Sequence, residues 1–319
     1  MPPHEQPVRG GAQGVDGATA SRGAVLAALL AVYLVWGSTY LAIRFAVETL
    51  PPFLMAGVRF TVAGALLYGW RRAVGFPRPT GRQWAAATVV GGLMLLGGNG
   101  GVVWAEQWVE SGTAALIVAT VPLWMVLMDW LRPGGRPPRP AVWLGIAVGL
   151  AGVAILLGVP DPGPRYLAGT TVLLLASVAW AAGSLYSRSA TLPAPLLATG
   201  MQMLAGGLLL LLAGLLAGEP ATFEPSTFST RSLLALAYLV AFGSLVGYSA
   251  YVWLLRVTPP ALASTYAYVN PVVAVMLGWL LANERMSPRI VVACLVIVGA
   301  VALISNTGAR RSRAARPGS

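Results

Sequence analysis

The 319 residues contain no lysine, one cysteine and one histidine, and charged side chains make up only 10% of them, where a soluble globular protein carries about a quarter. A soluble fold is excluded on that ground. Without lysine there is no glycine-rich phosphate loop that ends in one, which removes ATP-driven pumping by this chain alone. His4 stands in the N-terminal segment and Cys294 inside an apolar run, so no Cys/His cluster can hold a metal and no disulfide can close within the chain. No catalytic residues, metal ligands or cofactor are expected. Carboxylates are also scarce at membrane depth: Glu106, Asp129 and Glu284 are the candidates for a proton relay, all near the ends of apolar runs.

Apolar residues account for 57% of the chain, in runs of about the 20 residues that a helix needs to cross a hydrocarbon core. The runs and their breakers predict ten spans, at 24–44, 52–71, 83–105, 112–131, 141–158, 167–187, 195–217, 233–255, 260–281 and 289–306. A tail over 1–23 precedes them and a basic tail over 307–319 follows. The first run is too long for a signal peptide and lacks a small-residue cleavage site, so it reads as a retained helix. Five arginines (Arg44, Arg165, Arg231, Arg285, Arg289) fall on one side and Arg59 lies within a span, which leaves fifteen of the 21 with the termini. Both termini are therefore expected in the cytoplasm. The net charge of +11 comes from arginine alone, spread over loops and tails, and does not point to nucleic acid.

The sequence repeats itself. Trp104 and Trp253, Pro122 and Pro271, and Trp130 and Trp279 are like pairs at one spacing of 149 residues. Pro52 and Pro195 each open a span, Gly57 and Gly64 recur as Gly200 and Gly207, Gly152 has its counterpart in Gly299, and Gly97-x-x-x-Gly101 recurs as Gly243-x-x-x-Gly247. Two five-helix repeats follow, over 24–158 and 165–306. An odd number of spans per repeat inverts the second copy, the geometry of transporters whose substrate site lies between halves near the midplane. The predicted fold is thus an all-α polytopic membrane protein of ten transmembrane helices in two inverted five-helix repeats.

Polar stripes on apolar helices must face protein or water, because the bilayer core offers no hydrogen-bond partners. Tyr33, Trp36 and Tyr40 share a face of span 1; Ser177, Trp180, Ser184 and Ser187 share one of span 6; Ser244, Tyr248 and Tyr251 mark span 8; Ser264, Tyr268 and Pro271 mark span 9 beside Tyr266 and Asn270. Together they outline a hydrated pocket, against the simpler readings of an interfacial aromatic belt and of interhelical glue. Pro122 and Pro271 are expected to kink their helices. Arg59, in the outer half of span 2, is costly to leave unpaired; an ion pair with Glu106 or Glu110, or hydrogen bonding to carbonyls, is the structural reading, and anion recognition is the functional alternative.

Four stretches, VWGSTYLAIRFAVETLPPFLMAGVRF (35–60), GGNGGVVWAEQ (97–107), SGTAALIVATVPLW (111–124) and PALASTYAYVNPVVAVMLGWLLANE (260–284), resemble the EamA-domain branch of the drug/metabolite transporter superfamily, most closely its YedA-like exporters. The resemblance covers about residues 24–306. It implies termini inside, a central cavity lined chiefly by spans 1, 3, 4, 6, 8 and 9, and efflux of small organic solutes. Carried over by position, Trp36, Ser38, Asn99, Trp180, Tyr248, Tyr266, Tyr268 and Asn270 are the cavity candidates. The expected partners are a small-molecule substrate and membrane lipid, with room for a homodimer. The expected function is secondary transport across a bacterial-type cytoplasmic membrane, of neutral or zwitterionic, partly apolar solutes such as amino acids, metabolites or drug-like compounds. A nucleotide-sugar or sugar-phosphate antiporter would want several cations facing the cavity, and a membrane-embedded lipid enzyme a nucleophile or acid/base pair at membrane depth; neither pattern is present.

Overall fold

The computed structural model describes residues 21–132, 137, 140–157, 163–258, 263 and 266–314. Regular structure among them is helical throughout: α1 (Arg22–Ala46), α2 (Pro52–Ala73), α3 (Gly81–Ala105), α4 (Ser111–Leu131), α5 (Pro140–Leu157), α6 (Gly163–Ser189), α7 (Pro195–Leu216), α8 (Thr230–Val257), α9 (Tyr266–Ala282) and α10 (Pro288–Ala314). Seven of these, α1–α4 and α6–α8, are long and apolar enough to cross a membrane. Shorter apolar stretches lie at Pro140–Gly149, Val269–Ala282 and Pro288–Ala300. Residues 1–20, the predicted start of span 9 with Ser264, and the side chain of Tyr268 lie outside the described part. Helix α10 runs on through arginines that were expected to form a tail, since the first proline after Pro288 is Pro317.

Local chemistry sets the helix starts. The Ser21 hydroxyl accepts from Ala24 N–H at 3.1 Å, and Thr80 with Gln83 forms a reciprocal capping box ahead of α3. Pro52 and Pro195 occupy the first turns of α2 and α7, where a missing N–H costs nothing. Two starts are completed from far away in sequence. The Glu219 carboxylate accepts from Phe53 and Leu54 N–H at 2.9 and 2.8 Å. Glu284 accepts from Ser111 N–H and hydroxyl at 2.9 and 2.7 Å and from Gly112 N–H at 3.2 Å. Each anion sits at a helix N-terminus, where unpaired N–H groups and the helix dipole favour it.

These contacts define one end of the bundle. The start of α2 meets the end of α7 there, and the start of α4 meets the segment after α9. Arg44 Nη1 donates to the Glu106 carbonyl at 2.8 Å, and the Ser232 hydroxyl donates to the Phe45 carbonyl at 2.7 Å. At the opposite end Phe76, Trp84 and Leu192 cluster around Ala87, Leu197 and Met201.

Most of the repeated glycines lie where helices of the two copies touch, Gly299 being the exception. A Cβ on Gly64 would stand 2.5 Å from Leu204 N, and one on Gly207 2.5 Å from Thr61 N, so α2 and α7 approach backbone to backbone. Gly97 and Gly101 of α3 press on Ala179 and Ala176 of α6, while Gly243 and Gly247 of α8 press on Thr39 and Trp36 of α1. The two contacts exchange roles: third helix of one copy against first helix of the other.

Among the described residues three segments are wound as π-helix: Val32–Trp36 in α1, Gly92–Gly100 in α3 and Leu239–Tyr248 in α8. A π-turn adds a residue to the turn and rotates everything beyond it, and such turns gather at functional sites. Helix α4 breaks at Ala119–Thr120, and Pro122 opens its second half. Pro271 lies inside α9.

Candidate functional site

The π-wound stretches of α1, α3 and α8 surround a central cavity of about 620 Å³, mouth included. Helix α1 supplies Trp36, Thr39, Tyr40 and Ile43, a stripe at i, i+3, i+4, i+7 that faces one way. Trp180 of α6, Tyr248 of α8, and Tyr266 and Asn270 of α9 add to the wall, with Arg59 of α2 and Asn99 of α3. Small residues make the room, notably Gly98, Ala176 and Gly243.

One boundary of the cavity is aromatic. The Trp36 ring lies 5.5 Å from Trp180, 4.9 Å from Tyr251 and 5.4 Å from Tyr266, and Tyr251 and Tyr266 meet edge to face at 5.5 Å. Such pairs contribute about 0.5–1.5 kcal/mol each beyond area burial. Hydrogen bonds fix the rings: Trp36 Nε1 donates to the Gly243 carbonyl at 3.2 Å, and the hydroxyls of Tyr251 and Ser184 share a bond of 3.0 Å. The Tyr248 hydroxyl donates to Gln202 Oε1 at 3.0 Å. Gln202 belongs to a second depression of about 790 Å³, lined also by Ser187, Arg188, Leu192 and Arg256. Tyr248 and Gln202 thus join the two hollows by a single hydrogen bond.

Arg59 is 2% exposed. Its Nε donates to the Ser244 hydroxyl at 2.8 Å and its Nη1 to Asn99 Oδ1 at 3.4 Å, and its guanidinium lies 4.5 Å from the Phe60 ring centre. Neither Glu106 nor Glu110 pairs with it; among the described residues the ion pairs are Arg132–Asp129 and Arg231–Glu48, both exposed. The expected carboxylate partner is replaced by neutral oxygens because the π-turns of α3 and α8 bring Asn99 and Ser244 to the cation. A charge in this setting costs at least about 2.5 kcal/mol to insert. Glu106, the first residue past α3, is fully buried with no hydrogen-bond partner on either oxygen. Burial and the Glu284 charge hold its carboxyl well above the usual range, against the opposing pull of Arg44 and Arg59.

Of the predicted residues, the structure gathers Trp36, Asn99, Trp180, Tyr248, Tyr266 and Asn270 on one cavity, with Arg59. The Asn270 amide nitrogen, in the orientation that satisfies it, donates to the carbonyls of Tyr266 and Tyr33 at 3.2 Å each, tying α9 to α1. Ser38 is placed elsewhere: its hydroxyl donates to the Val35 carbonyl at 2.8 Å and bonds the Tyr238 hydroxyl at 2.6 Å. It lies off the 36, 39, 40, 43 stripe by helical geometry alone. Residues that sequence reasoning passed over are Thr39, Ile43 and Gln202; the first two stand on that stripe, and Gln202 is a lone amide in an apolar run. The several cations a sugar-phosphate site would use are not there, Arg59 being the cation of this cavity among the described residues.

The profile of the EamA-like transporter family matches residues 22–158 and again 167–306. The chain belongs to that family. It is a transmembrane transporter and not an enzyme. The transporter is 45% identical over 280 residues to the inner membrane transporter YedA of Escherichia coli (strain K12), covering 87% of this chain and 89% of that protein. It is 29% identical over 281 residues to the aromatic amino acid exporter YddG of Ancylobacter novellus, covering 85% and 93%. A crystal structure superposes with a TM-score of 0.64 at 25% identity, over 91% of this chain and 99% of the other.

Proposed function

We propose that this transporter exports small, partly apolar organic solutes of about amino-acid size from the cytoplasm by alternating access. Ten helices in two inverted halves rock about the Trp36 layer, with both termini in the cytoplasm. The observation that carries the reading is a pair of hollows, one walled by Trp36 and Tyr248 and the other by Gln202 with Ser187 and Arg188, linked through the Tyr248–Gln202 hydrogen bond. The exchange of contacts between α1/α8 and α3/α6, and the meeting of the start of α2 with the end of α7, are what inverted duplication requires. Among the relatives, the Ancylobacter protein exports aromatic amino acids, and a cavity walled by indoles and phenols suits solutes of that character.

The test is flux in proteoliposomes across a panel of amino acids and amphipathic metabolites, with Trp36→Ala alongside. Saturable flux of at least one member, reduced about tenfold or more by the substitution, is the expected result. A wild-type protein that moves none of the panel removes the proposal.

A further inference from the structure

We propose that Arg59 is a carboxylate-binding subsite, so that the solute is a monocarboxylate carried on an apolar or aromatic body. The inference rests on the transport reading above and names the substrate class of that same cavity. The observations are geometric. Arg59 lines the cavity, and only two of its nitrogens are engaged: Nε by Ser244, and Nη1 by Asn99 at the long distance of 3.4 Å. Its Nη2 makes no hydrogen bond to a described residue, and it stands against Gly243, where a Cβ would come within 2.8 Å. A guanidinium that lines a cavity with Nη2 unbonded and Nη1 held only by a long contact retains donors that can take a carboxylate in bidentate fashion.

The charge balance agrees with the geometry. Arginine is always cationic in proteins, and no carboxylate among the described residues lies within ion-pair distance of Arg59. Glu106 is enclosed without a partner and favoured in its neutral form. The missing negative charge is then the solute's own. A phosphate monoester would bring a second charge for which the cavity has no second cation among its described residues. The remaining wall, with Trp36, Trp180, Tyr248 and Tyr266, favours an apolar body behind the carboxylate.

Two matched pairs of probes decide the matter: L-phenylalanine with L-phenylalaninamide, and 3-phenylpropionate with 3-phenylpropionamide. Binding is read as ligand-induced thermal shift of the purified wild-type protein, and transport as competition for flux in proteoliposomes. A preference for the acid of about tenfold or more in at least one pair is expected, lost in Arg59→Gln and reduced in Arg59→Lys, which keeps the charge without the fork. The wild-type comparison stands whether or not the glutamine variant folds. Acid and amide transported equally well would overturn the subsite and leave the transport reading in place; an acid preference that survives in Arg59→Gln would do the same. Neither pair binding nor moving, while other panel members are transported, would overturn the subsite alone. No flux of any compound would remove both.

Discussion

Tyr248 and Gln202 show how much one buried hydrogen bond can govern. Their 3.0 Å contact joins two cavities, and a bond of this kind contributes about 1 kcal/mol, roughly a fivefold change in an opening equilibrium. Tyr248→Phe should therefore raise labelling of a cysteine placed at Thr39, applied from the side of the Arg188 depression in a Cys294→Ala background, by about fivefold. Unchanged labelling would mean that the phenol does not hold the partition. Glu106 makes a different forecast. Its raised carboxyl means that folding favours the protonated form, so stability is full below the ordinary glutamate range and is lost as the pH climbs toward the folded value. Arg44 and Arg59 oppose this shift while Glu284 adds to it. Glu106→Gln should flatten the fall in thermal midpoint as the pH rises above the ordinary glutamate range, with the two proteins most alike at the acid end. An equal slope in both proteins would show that another group titrates.

Among the elements, the helix limits were legible because their determinants are local. Spans expected at 52–71 and 195–217 are found at Pro52–Ala73 and Pro195–Leu216, since proline in a first turn announces a start within its own sequence neighbourhood. The π-wound segments were not legible. They coincide with contacts distant in sequence, as when Trp36 Nε1 reaches the Gly243 carbonyl and Gly97 meets Ala179, and local propensity carries no trace of such contacts. The cavity followed the same division. Trp36, Trp180 and Tyr248 declare themselves as polar-tipped aromatics in apolar runs, whereas the neutral partners of Arg59 depend on how α3 and α8 are wound. Glycine contacts make the sharpest element-scale prediction. Gly64→Ala drives a methyl into the backbone of α7 and should cost about 1–3 kcal/mol. Gly69→Ala, which meets nothing within 4 Å on the same helix, should be neutral or stabilising by up to about 1 kcal/mol. Thermal midpoints in detergent separate the two, and an equal response would deny the close approach.

At the scale of the whole molecule, the duplication was visible from spacing alone, while the bonds that stitch the copies together were not. Glu219 and Glu284 sit in segments that follow α7 and α9, yet each finishes a helix of the first copy. Removing one such cap as Glu284→Ala should cost about 0.5–2 kcal/mol, and Glu284→Gln, which keeps an acceptor but loses the charge, somewhat less; the unfolding midpoint checks both. These caps also order events during synthesis. A ribosome delivers the first five helices with the starts of α2 and α4 still unfinished, and the carboxylates that complete them emerge later, Glu219 after two helices of the second copy and Glu284 after four. The first half expressed alone should accordingly be a short-lived species in cells, rescued when the second half is supplied as a separate chain.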